Sequence, residues 1–352
     1  MTGVTMPPHN ESPTPSVRLD HQGHLLSDLW LDENDARRQV EQRVESGKLE
    51  DGQGQKLIQF AREGYFLDSI ALESSLRQQI IKDIDRLWRE KPVDLAYSFV
   101  REPCSMADSH QRRERRPTYR IYNLHSHSEA LRDLYLHRGL HGWAEMLLGG
   151  EPVALGTIFG EFGSRQPFVR DAVNVDAPDP ARLVTAWVAL DEVSQRTGPP
   201  VVIPRSQHLP FYQYEEGRIS IGRDEDYLEG YRFLMLALRD AGLREHVLTF
   251  APGQVLFRHS GLVHGAKPVR DPHTTRRFVE IHFTRRDLVE RRGAAFLKRV
   301  RGKLFRSEER FFWAETDRLL EKDGCQGFDN PLRGLHPRGL TLWEKLAGKL
   351  GR

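Results

Sequence analysis

Between about residue 152 and residue 283 the sequence breaks into short runs rich in β-branched and aromatic residues, separated by Gly, Pro and Asp. The runs are "VALGTIFGEFG", "LVTAWVALDEV", "PPVVIP", "HVLTFAPGQVLFRH" and "RFVEIHFT". Such residues suit the pleated, half-buried surface of a strand, and the separating residues favour turns. Several short strands with turns between them predict a β-sandwich or barrel. One predicted helix, "EDYLEGYRFLMLALRDAGLREH", interrupts this region.

The residues that precede this β region have helical periodicity. Apolar residues recur at helical spacing from about residue 33 to residue 90, for example at Ile80, Ile84 and Leu87. Gly64 is the predicted end of one helix, because glycine tolerates the left-handed geometry of a helix C-cap. The later stretch "EALRDLYLHRGLHGWAEMLLGG" predicts two short helices closed by a glycine pair.

Composition divides the chain into three parts. Residues 1–32 are rich in Pro, Ser and Thr and are predicted to be a disordered tail. Residues 33–283 carry the helices and the β core as one domain. Residues 284–352 are predicted to be a basic helical extension, with nine Lys or Arg against two Asp or Glu from Thr284 to Arg306. Its last stretch, "LTLWEKLAGKLGR", is predicted to be a short basic amphipathic helix. We expect it to pack on its own domain or a partner subunit, with contact to an anionic membrane as the alternative.

Charge and cysteine usage exclude several classes of protein. The formal net charge of +2 argues against a dedicated nucleic-acid binder. The sequence contains no run of 18 apolar residues, so no membrane span is predicted. The N-terminus lacks the apolar core that a secretory signal requires. The two cysteines, Cys104 and Cys325, do not make a disulfide framework, so a cytoplasmic location is the expectation.

Three polar residues of the β region have the chemistry of a non-haem iron site. His264 follows one predicted strand, Arg276 starts another, and Asp171 lies upstream in "QPFVRDAV". Such a site normally uses two His and one carboxylate, which leaves room for an oxo-acid and dioxygen. An Arg then holds the distal carboxylate of the oxo-acid. These residue types are common, so the pattern is also compatible with a turn carboxylate, a junction histidine and a solvent-facing arginine.

From about residue 56 to residue 283 the chain resembles the phytanoyl-CoA dioxygenase family. The segments that carry the resemblance are "LIQFAREGYFLD", "FGSRQPFVRD", "LVTAWVALDEVSQRTGPPVVIPRSQHLP", "APGQVLFRHSGLVHGAKPV" and "RRFVEIHF", in the family's order and spacing. The resemblance implies a double-stranded β-helix, or jelly roll, with N-terminal helices packed against it. It also implies Fe(II) and 2-oxoglutarate as cofactors.

The same resemblance implies roles for individual residues. Asp171 and His264 match two of the family's metal ligands, and Arg276 matches the 2-oxoglutarate anchor, with Arg277 as the alternative one position later. Trp187 matches a position that commonly lines the cosubstrate pocket, although core packing is an equal alternative for a Trp.

A basic loop lies upstream of the β core. Five Arg occur between residues 112 and 120, and Tyr119 and Arg120 match a segment of the family that often reaches the cosubstrate pocket. The cluster is either a solvated face or an attraction site for an acidic substrate such as a CoA thioester. Lipophilic acids, acyl-CoA esters and secondary metabolites are the substrate classes that the resemblance implies. A homo- or hetero-oligomer is compatible with the sequence.

The sequence departs from the family at the metal site. Val169 occupies the usual proximal histidine position, and valine has no lone pair to donate. Arg205, Gln207, Gln254 and Ala266 also replace residues typical of the family's turns. These changes indicate relaxed demands on a metal centre.

Two functions of different classes follow. The first is an iron- and 2-oxoglutarate-dependent hydroxylase, in which a substitute donor such as His282 completes the metal site. The second is a catalytically inactive homologue that acts as a binding module or as the non-catalytic partner of an active paralogue. The second predicts tolerance of Asp171→Ala, with an exposed mouth or Arg170 balancing the charge of Asp171.

Overall fold

The computed structural model describes the helices, the β core and part of the C-terminal region. The described residues are 29–90, 92, 97–101, 105–107, 119–163, 166–175, 177–214, 219, 226–290, 303–307, 310–314 and 326–327. The predicted tail up to residue 28, both cysteines, residues 112–118 of the basic cluster and the terminal basic helix lie outside these ranges.

In the part of the chain that the structure describes, five α-helices precede β5, and two lie within the β core. They are α1 (Ala36–Glu45), α2 (Asp51–Glu63), α3 (Ser74–Glu90), α4 (Glu129–Tyr135), α5 (Arg138–Leu148), α6 (Asp171–Asn174) and α7 (Asp226–Asp240). The predicted pair of helices before the β core is α4 and α5, and the predicted insertion is α7. The region from residue 33 to residue 90 is helical as predicted, except that a strand follows α2.

Two sheets form the β core. The strands are β1 (Tyr65–Ser69), β2 (Tyr97–Arg101), β3 (Ser105–Ala107), β4 (Tyr119–Tyr122), β5 (Pro152–Gly160), β6 (Val184–Ala189), β7 (Pro200–Val202), β8 (His246–Val247), β9 (Gln254–His259), β10 (His264–Ala266), β11 (Phe278–Arg285), β12 (Lys303–Ser307), β13 (Arg310–Ala314) and β14 (Gln326–Gly327). The larger sheet has the order β1-β9-β6-β11-β5-β13-β12-β14, and β10-β7-β8 form the smaller one. Pairing within the core is antiparallel, while β13 joins β5 in parallel.

The larger sheet separates two hydrophobic clusters because successive side chains of a strand point to opposite faces. On one face, residues of β6 share a cluster with residues of α5: Val184, Ala186, Val188, Leu140, Ala144 and Leu147. On the other face, Trp187 and Leu256 share a cluster with Val202 of the smaller sheet. The helices therefore cover one side of the sheet, and the space between the two sheets is the interior in which a ligand site can form.

The predicted boundary of the N-terminal tail at residue 32 is wrong. Leu29, Trp30 and Leu31 are buried in the main core, and the Trp30 indole donates a hydrogen bond to the Met146 carbonyl at 2.9 Å. The Arg43 guanidinium lies 3.8 Å from the Trp30 ring centroid. A composition average over the Pro- and Ser-rich segment hides these three apolar residues, each of which gains stability from burial.

The helical prediction for residues 284–352 is also wrong for most of its described residues. β12 and β13 form an antiparallel hairpin, and β14 pairs with β12. The prediction relied on an excess of positive charge, which does not specify helix or strand. Aromatic-rich runs such as "RFFWA" favour strands. This run forms β13, which joins the larger sheet by pairing with β5. Among the described residues, no helix is both long and apolar enough to cross a membrane.

Gly64 ends α2 as predicted, with a positive φ of 80° and a hydrogen bond from its N–H to the Phe60 carbonyl. A Cβ at this position would lie 2.5 Å from Gln207 Oε1 and 2.9 Å from Leu262 Cδ1. We expect Gly64→Ala to lower the free energy of unfolding by about 1–3 kcal/mol, from left-handed strain and this overlap. Gly47→Ala is the matched control for urea denaturation, because Gly47 has φ 68° and a Cβ added there would have no neighbour within 4 Å. Equal losses in the two variants would show that the overlap at Gly64 is relieved without cost.

His141 of α5 should make the fold sensitive to acid. Its ring is buried, with Nε2 3.2 Å from the Tyr135 carbonyl, and burial lowers its pKa to about 4. The unfolded chain takes up this proton near its ordinary pKa, so the stability is present at neutral pH and is lost as the pH falls from about 6.5 towards 4. We expect this single group to cost about 2 kcal/mol of stability at pH 5 relative to neutral pH.

Urea denaturation of His141→Gln across this pH range measures the effect of His141. The variant should lose less stability on acidification than the unmodified protein, because Gln does not titrate. Substitution of the exposed His273 by Gln is the control for the exchange of a histidine for glutamine. Parallel pH profiles for His141→Gln and the unmodified protein would contradict the prediction.

Candidate functional site

Polar side chains line one level of the space between the two sheets. Thr185 of β6 lies opposite Arg258 of β9 on one side and His282 of β11 on the other. Glu280 lies two residues before His282, so it shares the same sheet face. Along each strand, the apolar neighbours of these four residues point to the opposite face and belong to the core that the helices cover. Strand register therefore brings a hydroxyl, a guanidinium, a carboxylate and an imidazole together inside the protein.

Asp171 and His264 reach this polar layer from outside the larger sheet. Asp171 begins the short helix α6, and His264 begins β10 of the smaller sheet. His264 Nε2 lies 3.4 Å from Asp171 Oδ1, and both residues are buried. Val169 forms an antiparallel bridge with His264, with reciprocal backbone hydrogen bonds of 2.9 and 3.0 Å. Directly paired residues share a face, so Val169 places an apolar side chain beside the imidazole.

The Asp171 carboxylate is held by Arg258. Arg258 Nε donates to Asp171 Oδ2 at 2.9 Å, and Nη2 donates to Oδ1 at 3.2 Å. The side chains are only 4% and 5% exposed, so solvent screens this bidentate pair little. Burial by itself would raise the pKa of Asp171, but the charge of Arg258, the smaller effects of His264 and His282 and the hydrogen bond from Arg258 together hold that pKa well below its usual range.

Arg258 also contacts a second carboxylate. Its Nη2 lies 2.9 Å from Glu280 Oε2, so one guanidinium bridges two acidic side chains and reaches the second one across β6. Burial lowers the pKa of Arg258, but the charges of Asp171 and Glu280 raise it well above its ordinary value overall. Arg258 therefore stays protonated throughout the physiological range.

Thr185 connects Asp171 to His282. The Thr185 hydroxyl lies 2.7 Å from Asp171 Oδ2 and 3.1 Å from His282 Nδ1. A hydroxyl has one proton, which goes to the carboxylate, so the Thr185 oxygen accepts from His282 Nδ1–H. Burial lowers the pKa of His282, which keeps its ring neutral and leaves the lone pair on Nε2. That nitrogen is buried without a hydrogen bond, 3.5 Å from Glu280 Oε1.

His264 has a similar tautomer. Its Nδ1 lies 3.0 Å from the Leu262 carbonyl, so Nδ1 donates and the Nε2 lone pair faces Asp171. Burial lowers the pKa of His264, and the charge of Arg258 lowers it further. A backbone carbonyl that fixes Nδ1–H is how many metal-bound histidines are oriented, so the His264 side chain has the geometry of a ligand.

A second cluster of cationic side chains lies beside the Trp187–Phe278 ring pair, whose centroids are 4.8 Å apart. The guanidinium carbons of Arg276 and Arg120 lie 5.3 and 5.0 Å from the Phe278 ring centroid. Arg276 donates to the Gly198 carbonyl, and its Nε is buried without a hydrogen bond. Within the described ranges no carboxylate lies at salt-bridge distance from Arg276. Burial, with a smaller effect of the Arg120 charge, lowers the pKa of Arg276 to about 9, so it remains cationic at neutral pH.

Arg277 and Tyr119 belong to a different network. Arg277 is ion-paired with Glu161 at 3.2 Å and with Asp191 at 3.3 Å. The fully buried Tyr119 donates its hydroxyl proton to Glu161 at 2.7 Å and accepts from the Trp88 indole at 3.0 Å. The structure thus places Arg276 and Arg120 near Trp187, whereas Tyr119 and Arg277 are held by Glu161.

Arg170 does not balance Asp171, contrary to the expectation for a buried carboxylate without metal. It donates to the carbonyls of Pro210 at 3.0 Å and Ser206 at 3.2 Å, and its guanidinium lies over the Phe211 ring at 4.2 Å. The extended backbone at Arg170 turns its side chain away from that of its neighbour Asp171. The expected exposed mouth is wrong as well, because Asp171 is 4% exposed.

Another departure from the family pattern has a structural role. The Gln207 side-chain amide lies 3.3 Å from the carbonyls of both Ala61 and Arg62, the last turn of α2. It also donates to His208 Nε2 at 3.0 Å. Gln207 therefore satisfies carbonyls at a helix end and takes no part in the layer around Asp171.

The donors of the polar layer do not fit iron. A non-haem iron site needs three protein donors on one face of the metal. Here Val169 offers none, both oxygens of Asp171 accept from Arg258, and His282 Nε2 faces Glu280. No group of three or more His, Cys, Asp or Glu in the described part of the chain has an arrangement that could hold a metal ion.

Sequence reasoning missed Arg258, Thr185 and Glu280. A signal existed for Arg258, since it is the one charged residue in the strand "QVLFRH" and occupies an inward position in its alternation. Buried charges need partners, so such an arginine predicts carboxylates within reach. Which carboxylates those are depends on strand register.

Comparison with known proteins identifies the family and the fold of this chain. A family model described as phytanoyl-CoA dioxygenase matches residues 60–278, more than half of the chain. The non-haem α-ketoglutarate-dependent carbocyclase SnoK of nogalamycin biosynthesis superposes with a TM-score of 0.52 and 14% identity, over 68% of this chain and 85% of SnoK. A search of curated protein sequences gives no match. At this identity the SnoK likeness shows the fold alone, which is a jelly roll.

Two other solved structures are similar over comparable lengths. The epimerase SnoN, in complex with Fe3+, α-ketoglutarate and nogalamycin RO, has a TM-score of 0.49 and 15% identity, over 66% of this chain and 84% of SnoN. EctD from S. alaskensis, with 2-oxoglutarate and 5-hydroxyectoine, has a TM-score of 0.47 and 20% identity, over 77% of this chain and 82% of EctD.

Proposed function

Because this chain belongs to the phytanoyl-CoA dioxygenase family, we propose that it binds an organic acid of the 2-oxoglutarate type in its jelly roll without iron, as a binding module rather than an oxygenase. The observation that carries the proposal is the pair of buried cations, Arg276 and Arg120, beside the Trp187–Phe278 rings. Arg276 has no carboxylate partner among the described residues and retains an unused N–H donor. A carboxylate ligand would pair with the charge of Arg276 and accept a hydrogen bond from this donor.

Electrostatics favour an anionic ligand at this place. A buried guanidinium is costly to desolvate unless a negative group neutralises it, and the charge of Arg120 adds to the positive potential around Arg276. A planar guanidinium matches a carboxylate through two parallel hydrogen bonds. The aromatic rings would then pack against the carbon chain of the acid. By the family resemblance, the chemical class extends to lipophilic acids and acyl-CoA esters.

The polar layer around Asp171 supports the absence of iron chemistry. In the family Asp171 and His264 correspond to metal ligands, and Val169 stands at the position of the proximal histidine. In this chain the Asp171 charge is neutralised internally by Arg258. Val169 is buried beside His264 and puts an apolar side chain where the proximal histidine would stand.

The competing function is an iron- and 2-oxoglutarate-dependent hydroxylase in which His282 supplies the third donor. One observation favours it, because His282 Nε2 is buried without a hydrogen bond. If iron bound, it would supply dioxygen activation, and Arg276 would orient the cosubstrate. The bidentate pair between Arg258 and Asp171 weighs against this function.

Two parallel titrations of the unmodified protein distinguish these functions. The first is calorimetric titration with 2-oxoglutarate in the presence of EDTA. The second is an anaerobic titration with iron(II) and 2-oxoglutarate, followed by the visible charge-transfer band. We expect heat of binding with EDTA and no band. A band, together with acid binding only when iron is present, would overturn iron-free binding and support the metal site that the hydroxylase alternative requires. No binding under either condition would overturn acid binding.

A further inference from the structure

The position that Asp171 and His264 face already contains a positive charge. Arg258 enters it from β9 and binds both oxygens of Asp171, at 2.9 and 3.2 Å. It also binds Glu280 at 2.9 Å. A carboxylate that accepts two hydrogen bonds from one guanidinium has its charge neutralised and its two oxygens oriented, which are the tasks that a metal ion performs for its ligands.

The two histidines of the layer lie beside its carboxylates. The Nε2 lone pairs of His264 and His282 both lie next to carboxylate oxygens, at 3.4 Å from Asp171 and 3.5 Å from Glu280. Lone pairs and carboxylates gather in a buried layer only if a positive group offsets their repulsion. In the described residues that positive group is Arg258, whose side chain is 4% exposed.

We infer that Arg258 is the permanent cation of this centre and takes the place of a metal ion. Val169 and Arg258 then act together: Val169 removes a donor, and Arg258 supplies the charge that the remaining donors need. A divalent ion could reach Asp171 only by displacing the guanidinium or by lying next to a like charge. Restoring a histidine at position 169 therefore leaves the centre closed to metal as long as Arg258 is present.

This inference concerns the charge at Asp171 and does not depend on acid binding at Arg276. The two ideas fail separately, because one is measured with a metal ion and the other with 2-oxoglutarate in EDTA. Either result can hold while the other is overturned.

Cobalt(II) chloride is a suitable probe, because its visible absorption reports protein coordination and equilibrium dialysis gives its affinity. Four proteins are compared: the unmodified chain, Val169→His, Arg258→Gln, and the double variant. Gln keeps an amide that can donate to Asp171 but has no charge. We expect Val169→His to bind cobalt(II) no more tightly than the unmodified chain. The double variant should bind at least about ten-fold more tightly, since it has a third donor and no competing cation.

Two outcomes would overturn the inference. Cobalt(II) binding by Val169→His as tight as that by the double variant would mean that the guanidinium does not compete with metal. A folded double variant that binds no more cobalt(II) than the unmodified chain would mean that Arg258 is not what excludes metal. Circular dichroism and thermal melting establish that each variant is folded.

A matched variant separates charge from shape. Arg258→Lys combined with Val169→His keeps a cation at the centre but loses the planar guanidinium. It should exclude cobalt(II) as the Val169→His variant does, and cobalt(II) binding by this lysine variant would overturn the assignment of the role to charge. If the Gln variants do not fold, Val169→His, which keeps every ion pair of Arg258, still decides the question: cobalt(II) binding there overturns the inference, and no binding supports it.

Discussion

Arg258→Met is expected to lower the free energy of unfolding by about 3–5 kcal/mol, because it leaves two buried carboxylates without their counter-charge. Asp171 and Glu280 both accept from this guanidinium, and their side chains are 5% and 15% exposed. Water cannot replace the lost interaction at such burial. Met keeps the length of the aliphatic part of the Arg side chain, so the loss reports mainly the removal of the guanidinium. Urea denaturation at neutral pH measures the change.

An exposed ion pair of the same type is the control. Arg286 bridges Glu151 at 3.0 Å and Glu290 at 2.7 Å, with its side chain 30% exposed. Arg286→Met should cost less than about 1 kcal/mol, because solvent screens surface pairs. A loss for Arg258→Met as small as that of Arg286→Met would contradict the ion-pair network.

Combining substitutions at Arg258 and Asp171 tests whether Arg258 stabilises the protein through Asp171. Asp171→Ala should also be destabilising, because it leaves Arg258 with one carboxylate fewer. This differs from the tolerance of Asp171→Ala that the sequence predicts for an inactive homologue. In the double variant Arg258→Met/Asp171→Ala both charges of this pair are gone. Its loss should be clearly smaller than the sum of the two single losses, which is the signature of a direct interaction.

Arg276→Met is expected to weaken binding of 2-oxoglutarate by roughly 100-fold, since hydrogen bonds to a charged group contribute about 1.5–3 kcal/mol. The guanidinium has no carboxylate partner in the described part of the chain, and its Nε is unused in the unliganded protein. Loss of this buried charge should leave the thermal melting temperature unchanged or raised. Binding is measured by calorimetry in EDTA, and stability by thermal melting.

Arg277→Met is the matched control, one residue away. Arg277 is already paired with Glu161 and Asp191, so its removal should lower the melting temperature and change the affinity for the acid little. The opposite pattern, with loss of affinity at Arg277 and loss of stability at Arg276, would assign the anchor to Arg277. Equal affinity in both variants and the unmodified protein would place acid binding elsewhere.

Much of the fold follows from local sequence patterns. Periodicity and turn residues correctly predict the strands β5 to β9 and β11, the helices α4, α5 and α7 and the end of α2 at Gly64. These features depend on residues close together in the chain. The errors arose where a neighbouring composition dominated a short segment, as at Leu29 to Leu31 and in the strands after residue 302.

For the candidate site, the sequence by itself determined the family resemblance, the candidate residues Asp171, His264 and Arg276, and the valine at position 169. It did not determine which group neutralises the negative charge of Asp171. Its partner is 87 residues away and not the adjacent Arg170. Only strand register places Arg258 opposite Thr185 and across β6 from Glu280. The energy of a buried charge depends on the partners that surround it in space, so the tertiary structure decided that this centre has its own cation.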